Sequence, residues 1–433
     1  MVSENGKPLI PLLGLGFFVQ GFRCFPWLAI NFFLKDTLGV APSTLQLLQN
    51  SANLPMVGKP IYGLVSDAVY IRGEHRLPYI AIGGFLQAVS WLSIALLPDS
   101  SISILTLSLL LLLSNLGASI AEVANDALVA VAGKQPEHAR KHLKPARKQP
   151  SGELQSFVWM AGSAGGVIGN LLGGLFLSYF SPKLMFLLFG LLLSLQLLTT
   201  LTISEASLNL PKNPKTGIRN QFSNLMGALE KPEIALSVAW FSASFALVPI
   251  LTGSMFFYQT HYLKVDPSTV GLSKVVGQMA ILIGSMIYNR RLKSLSPRKL
   301  IVSVQLLIAA CMFSDWLFVK RVYNQIGICD GVYVVLFSGL FEALFQFKVL
   351  PFSVLLAQLC PPGCEGSLMA FVMSSLAMAT IVGGYLGVGL ASWVGISEND
   401  FGGLPQGILI QALCTVVPVF WSHWISEPSR KED

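Results

Sequence analysis

Apolar runs of about twenty residues recur from one end of the chain to the other, and a run of that length crosses the hydrocarbon core of a bilayer as an α-helix. The runs do not sustain the period of two that a membrane β-barrel needs: Leu105–Leu113 passes into consecutive leucines. A water-soluble globule is excluded by charge, since only 12% of the residues are charged, about half the share usual for soluble proteins. The expected fold class is therefore an all-α polytopic membrane protein. About twelve spans are expected, over residues 11–34, 43–67, 77–97, 102–131, 153–180, 183–204, 233–260, 268–290, 299–319, 328–358, 366–394 and 404–426.

The basic residues orient these spans. With the N-terminus inside, the inner segments collect about twenty Lys and Arg, the outer loops about five: Lys35, Lys183, Lys264, Lys320 and Arg321. That asymmetry predicts a multi-pass protein with both termini in the cytosol, and explains the net charge of +7 without a nucleic-acid partner. The basic inner loop Lys134–Ser151 reads as a solvated loop that can meet lipid headgroups. Met1–Ile10 is too short, and too poor in Arg and Ser, for a plastid transit peptide, so the membrane is not identified.

Several chemistries lack their residues. The six cysteines show no disulfide-scaffold spacing; Cys360-Pro-Pro-Gly-Cys364 reads as a turn that carries thiols, and no metal site or cofactor is expected. No Gly-x-x-x-x-Gly-Lys-Ser/Thr loop for an ATP-driven pump occurs. Gly162-Ser163-Ala164-Gly165 is one residue short of a nucleophile elbow, and an enzyme is not expected.

The two halves echo each other. Gly63-Leu-Val-Ser66-Asp67 and Arg76-Leu-Pro-Tyr79 follow the second span; Gly284-Ser-Met-Ile-Tyr288-Asn289-Arg290-Arg291 and Ser296-Pro-Arg298-Lys299 follow the eighth. Ser207–Glu230, with Pro211, Pro214 and Gly217, separates them as a linker would. The expected domains are bundles of six helices over 1–206 and 232–433, joined by a cytoplasmic linker over 207–231, an organisation that resembles the major facilitator architecture. A carboxylate at a helix end beside a basic loop makes a latch of Asp67, Arg72 and Arg76.

Candidate site residues come from polar stripes inside the spans. Gln20, Arg23, Trp27 and Asn31 fall within about 80° on a helix whose remaining surface is apolar. A guanidinium near mid-membrane costs roughly 2.5–3.5 kcal/mol on insertion scales, so Arg23 should face a cavity, a partner or an anion. Similar stripes hold Gln46, Gln49, Asn50 and Asn53; Asn115, Ser119, Glu122 and Asp126; Gln155 and Trp159; Lys274 and Gln278; and Glu342 with Gln346. The glycines of the fifth and eleventh spans read as places of close helix approach.

Longer motifs add a resemblance. Gln20-Gly-Phe-Arg23; Phe33-Leu-Lys35-Asp36-x-Leu-Gly39-Val-x-Pro42-Ser43; Lys59-Pro60-Ile-Tyr62-Gly63-x-x-Ser66-Asp67; Gly152-Glu153-Leu-Gln155-Ser156; and Tyr258-Gln-Thr-x-Tyr262-Leu-x-x-Asp266-Pro267-Ser268 together resemble the folate–biopterin transporter family, in its plant branch, nearly end to end. The resemblance implies a major facilitator fold and a folate- or pterin-type solute. In one place the chain departs from it: Asp126-Ala-Leu-Val129-Ala130-Val131 carries Val131 where the family often has glutamate.

Together these readings predict alternating access by a monomer that carries a small-molecule solute through membrane lipid. Arg23 and Lys274 would attract carboxylates, Trp27 and Trp159 stack on a flat ring, and Gln155 and Gln346 read its amide edge. Glu122, Asp126 and Glu342 are the candidate proton carriers, because a low dielectric favours the neutral form of a carboxyl group. Two rivals stand beside this reading: another metabolite such as S-adenosylmethionine, and a receptor or scaffold that keeps the fold without flux.

Overall fold

The computed structural model describes residues 9–132, 150–208, 218–292, 295–360 and 365–427. Most of the loop 134–151, the middle of the linker 207–231, Cys364 and the Gln155 side chain lie outside the described residues. Nearly everything described is helical, and ten stretches are long and apolar enough to cross a membrane.

The first span is α1 (Leu9–Phe22) and α2 (Cys24–Phe32), parted at Arg23 and prolonged by a π-turn over Phe33–Thr37. The second is α3 (Pro42–Ala52), a 3-10 segment over Leu54–Gly58, and α4 (Lys59–Ala68). Four unbroken helices follow: α5 (Leu77–Leu96), α6 (Ile104–Ala132), α7 (Pro150–Tyr179) and α8 (Pro182–Thr202). After the shorter α9 (Ile218–Leu229) the seventh span is again divided, into α10 (Pro232–Ala246) and α11 (Thr252–Phe257). Then come α12 (Pro267–Arg290), α13 (Pro297–Val319) and α14 (Val322–Gln325). The tenth span is α15 (Asp330–Tyr333), a π-segment over Val334–Ser338, α16 (Gly339–Phe347) and α17 (Val349–Leu359). The last two helices are α18 (Glu365–Trp393) and α19 (Leu404–Val416).

The breaks have a common cause. A proline lacks the N–H that would bond the carbonyl four residues back and crowds that carbonyl. Pro26, Pro55, Pro249 and Pro351 each lie within one turn after a break, at Arg23, Asn53, Leu247 and Lys348.

By packing the chain divides into two compact units, Met1–Ile30 with Gly58–Asn220 and Asn31–Val57 with Gln221–Asp433. In the first unit α5 packs along α6 and α8, and α1 along α7. The α1–α7 approach is backbone to backbone: a β-carbon at Gly165 would collide with the Phe18 carbonyl. Trp91 anchors an aromatic cluster with Phe186 and Phe189, both at 5.6 Å between ring centroids. At one end of this unit Arg76 pairs with Asp67 and donates to Ser66 Oγ at 2.6 Å. Glu205 Oε2 accepts from the backbone N–H groups of His75 (2.6 Å) and Arg76 (2.8 Å), capping the start of α5.

In the second unit α10 packs on α18, α12 on α16, and α13 on α19. Phe241 and Phe352 stack at 3.8 Å in its core. The gap between α10 and α11 frees buried backbone groups, and side chains from elsewhere satisfy them. Gln46, 3% exposed, donates from Nε2 to the carbonyls of Ile250 (2.6 Å) and Gly384 (2.7 Å), while its Oε1 accepts from Gly253 N at 2.8 Å. Gln411 Oε1 accepts from Leu251 N at 3.2 Å, and the Gly383 carbonyl from Ile250 N at 3.1 Å. This seam explains a glycine of α18: a β-carbon at Gly387 would overlap the Ile250 carbonyl oxygen.

Candidate functional site

The site in the first unit is built by two helix breaks meeting on one long helix. Asn115 and Glu122 are seven residues apart on α6, two turns, and so share a face. Arg23 sits in the gap between α1 and α2 and reaches that face with both terminal nitrogens. Nη1 donates to Glu122 Oε1 at 2.5 Å and Nη2 to Asn115 Oδ1 at 2.6 Å. Lys59, first residue of α4, donates to the other carboxylate oxygen, Oε2, at 2.7 Å. One carboxylate thus holds two cations, with side-chain exposures of 17% for Arg23, 10% for Glu122 and 22% for Lys59. Asp126, one turn further along α6, is exposed.

The second unit carries a neutral pair. Lys274 of α12 bonds Glu342 of α16, both half-exposed, and Gln259, just past α11, donates from Nε2 to Oγ of Ser338, just before α16, at 3.3 Å. Gln346 is exposed. Lys348 is a different kind of cation. It is 1% exposed, donates to Ser244 Oγ and Gln305 Oε1 at 2.9 Å each, and lies 3.5 Å from the Phe245 ring centroid. Its contacts tie α10, α13 and the α16–α17 junction together, a packing role. An open, mostly apolar cleft of about 390 Å³ lies between α10 and α18, walled by Ala243, Ala246, Ser375 and Ala379.

The expected residues are therefore distributed unevenly. Arg23 and Glu122 meet, as do Lys274 and Glu342, and Asp67 and Arg76. Arg72 does not pair with Asp67 among the described residues; it is exposed in a turn at φ 53°. Trp27 is half-buried, edge-on to Trp91 at 6.3 Å, whereas Trp159 is 64% exposed. The Gln155 side chain lies outside the described residues. Val131 is half-buried at the end of α6. Lys59 was not among the expected site residues. Its signal is the general one, an ionisable side chain inside an apolar run.

The chain matches the BT1 family over residues 20–433. It is 58% identical over 429 residues to probable folate-biopterin transporter 7 of Arabidopsis thaliana, covering 99% of this chain and 95% of that one. To the folate-biopterin transporter of Synechocystis sp. it is 29% identical over 412 residues, 95% of this chain and 80% of the other. Among solved structures, a D-xylose-proton symporter superposes with a TM-score of 0.69 at 16% identity, covering 99% of both chains. The nucleoside transporter NupG gives a TM-score of 0.65 at 15% identity, covering 98% of this chain and 99% of that one. These likenesses show the major facilitator fold.

Proposed function

The chain belongs to the BT1 family of membrane transporters, and from that premise we propose that its solute is a folate or related pterin, moved by alternating access together with a proton. The observation that carries the proposal is the Arg23–Glu122–Lys59 cluster: two cations and a carboxylate inside spans, none of them fully sealed from solvent. Folates carry carboxylates that such cations attract. The names of the relatives support the solute class.

In this reading Arg23 and Lys274 receive the solute's negative groups, and Glu122, Asp126 and Glu342 are the carboxylates open to protons. Trp27 and Trp159 are the ring-stacking candidates, Gln155 and Gln346 the amide readers, and Asp67 with Arg76 the latch. We further place the two six-helix halves at 1–206 and 232–433, joined by the linker 207–231, with both termini in the cytosol. The asymmetry of basic residues supports that orientation.

Uptake of labelled folate by a folate-auxotrophic cell expressing the chain, with and without a pH gradient, tests the proposal. Arg23→Ala should abolish uptake while the protein still reaches the membrane. Normal uptake by that variant removes the first span from the solute site. Competition by biopterin, and none by S-adenosylmethionine, is the expected selectivity.

A further inference from the structure

We propose that Arg23 and Lys59 are the two prongs of a receptor for a carboxylate of the solute, and that Glu122 is the built-in anion which that carboxylate replaces. The inference rests on reading this cluster as the solute site, and it adds Lys59 and Asn115 to the residues that select the solute.

Charge is the first argument. Arg23, Lys59 and Glu122 sum to +1, with one cation on each oxygen of a single carboxylate. If Glu122 is neutralised by a proton, both cations are left without their anion, and a buried charge without a partner is expensive unless an opposite charge joins it. The elements around Glu122 supply no other direct partner. Among the described side chains α1, α5 and α7 bring no charged group; α4 brings, besides Lys59, Asp67, which pairs with Arg76; and Asp126, one turn along α6, is exposed and within electrostatic reach of both Glu122 and Lys59.

Position is the second. Lys59 opens α4, where the positive end of the helix dipole disfavours a cation. Helix stability therefore does not account for a lysine there. What the position does provide is the bond to Glu122 on α6. Access is the third argument. Lys348 shows what a purely structural buried lysine looks like here: neutral acceptors take its protons and 1% of it is exposed. Lys59 instead is partly open and bonds a group that can be exchanged.

Asn115 has a defined part. It holds Nη2 of Arg23, so the guanidinium stays presented when Nη1 is released by Glu122. The exchange balances if Glu122 takes one proton as the solute carboxylate arrives: two cations and one carboxylate before, two cations, one solute carboxylate and one neutral acid after. Each carboxylate bound therefore brings one proton into the site. A pterin without a carboxylate has no use for the prongs.

The thermal midpoint of the purified protein, titrated with folic acid, p-aminobenzoylglutamate and biopterin, tests this. Lys59→Gln should weaken both carboxylates about tenfold, as loss of one charge-assisted hydrogen bond does, and leave biopterin unchanged. Glu122→Gln should tighten both carboxylates and remove the pH dependence of their binding. If Lys59→Gln does not accumulate, Lys59→Arg, expected to keep carboxylate binding, and Glu122→Gln carry the test. The receptor is overturned if Lys59→Gln weakens biopterin as much as folic acid, or if Glu122→Gln weakens the carboxylates. A response to p-aminobenzoylglutamate without a response to either pterin compound upholds the receptor and overturns the solute reading. A response to biopterin alone does the reverse, and no response in any form overturns both.

Discussion

Arg23 works by shape as well as charge. Its two terminal nitrogens address two acceptors on α6, Glu122 and Asn115, which a single ammonium cannot do at the same geometry. Arg23→Lys should keep the protein in the membrane and lower uptake about tenfold, as loss of a charge-assisted bond would; uptake at the parental rate would show that charge alone suffices. Periodicity placed Arg23 on one polar stripe and Asn115 and Glu122 on another, but nothing local in the sequence said that the two stripes meet. Lys59 was not legible in the same way. On an unbroken helix it falls about 220° from Gln46, away from that span's polar stripe. Lys348 is the opposite case: an ionisable residue in a span that the fold uses to bind three helices together.

At the scale of elements the prolines were the readable signal. Pro26, Pro55, Pro249 and Pro351 mark the four breaks, and cations stand at or just after three of them: Arg23, Lys59 and Lys348. What the prolines do not reveal is how a break is repaired. The seventh span's freed groups are met by Gln46, Gln411 and a bare backbone on α18, contacts between segments some 130–210 residues apart, beyond the reach of local pattern. Gln46→Glu should be nearly as damaging as Gln46→Ala, since a carboxylate cannot donate to the Ile250 and Gly384 carbonyls. Each buried backbone group left unpaired costs about 1–3 kcal/mol, so both variants should unfold several degrees below the parent protein in detergent. Gly387→Ala should fail more severely, because its β-carbon has no room beside Ile250. A midpoint equal to the parent's in Gln46→Glu would mean that the seam does not hold the break.

For the whole molecule the division of charge is the notable asymmetry. One unit sets two cations on a single carboxylate; the other holds the one-to-one pair Lys274–Glu342 and, apart from it, Lys348 among neutral acceptors. The orientation in the membrane was expected from the loops alone, and it has a direct test in a cysteine-free background. An impermeant thiol reagent applied to intact cells should label Lys264→Cys and spare Arg290→Cys; the reverse pattern would invert the topology. Glu205 bears on how such a chain is made. The carboxylate that closes the first turn of α5 is supplied about 130 residues later in synthesis, from just beyond α8. A ribosome that has delivered the third span has not yet delivered the group that completes it, so that end must wait, uncapped, for three more spans to emerge. The start of α5 is completed by a residue beyond α8, and a nascent chain released before Glu205 would leave the third span's start exposed to quality control.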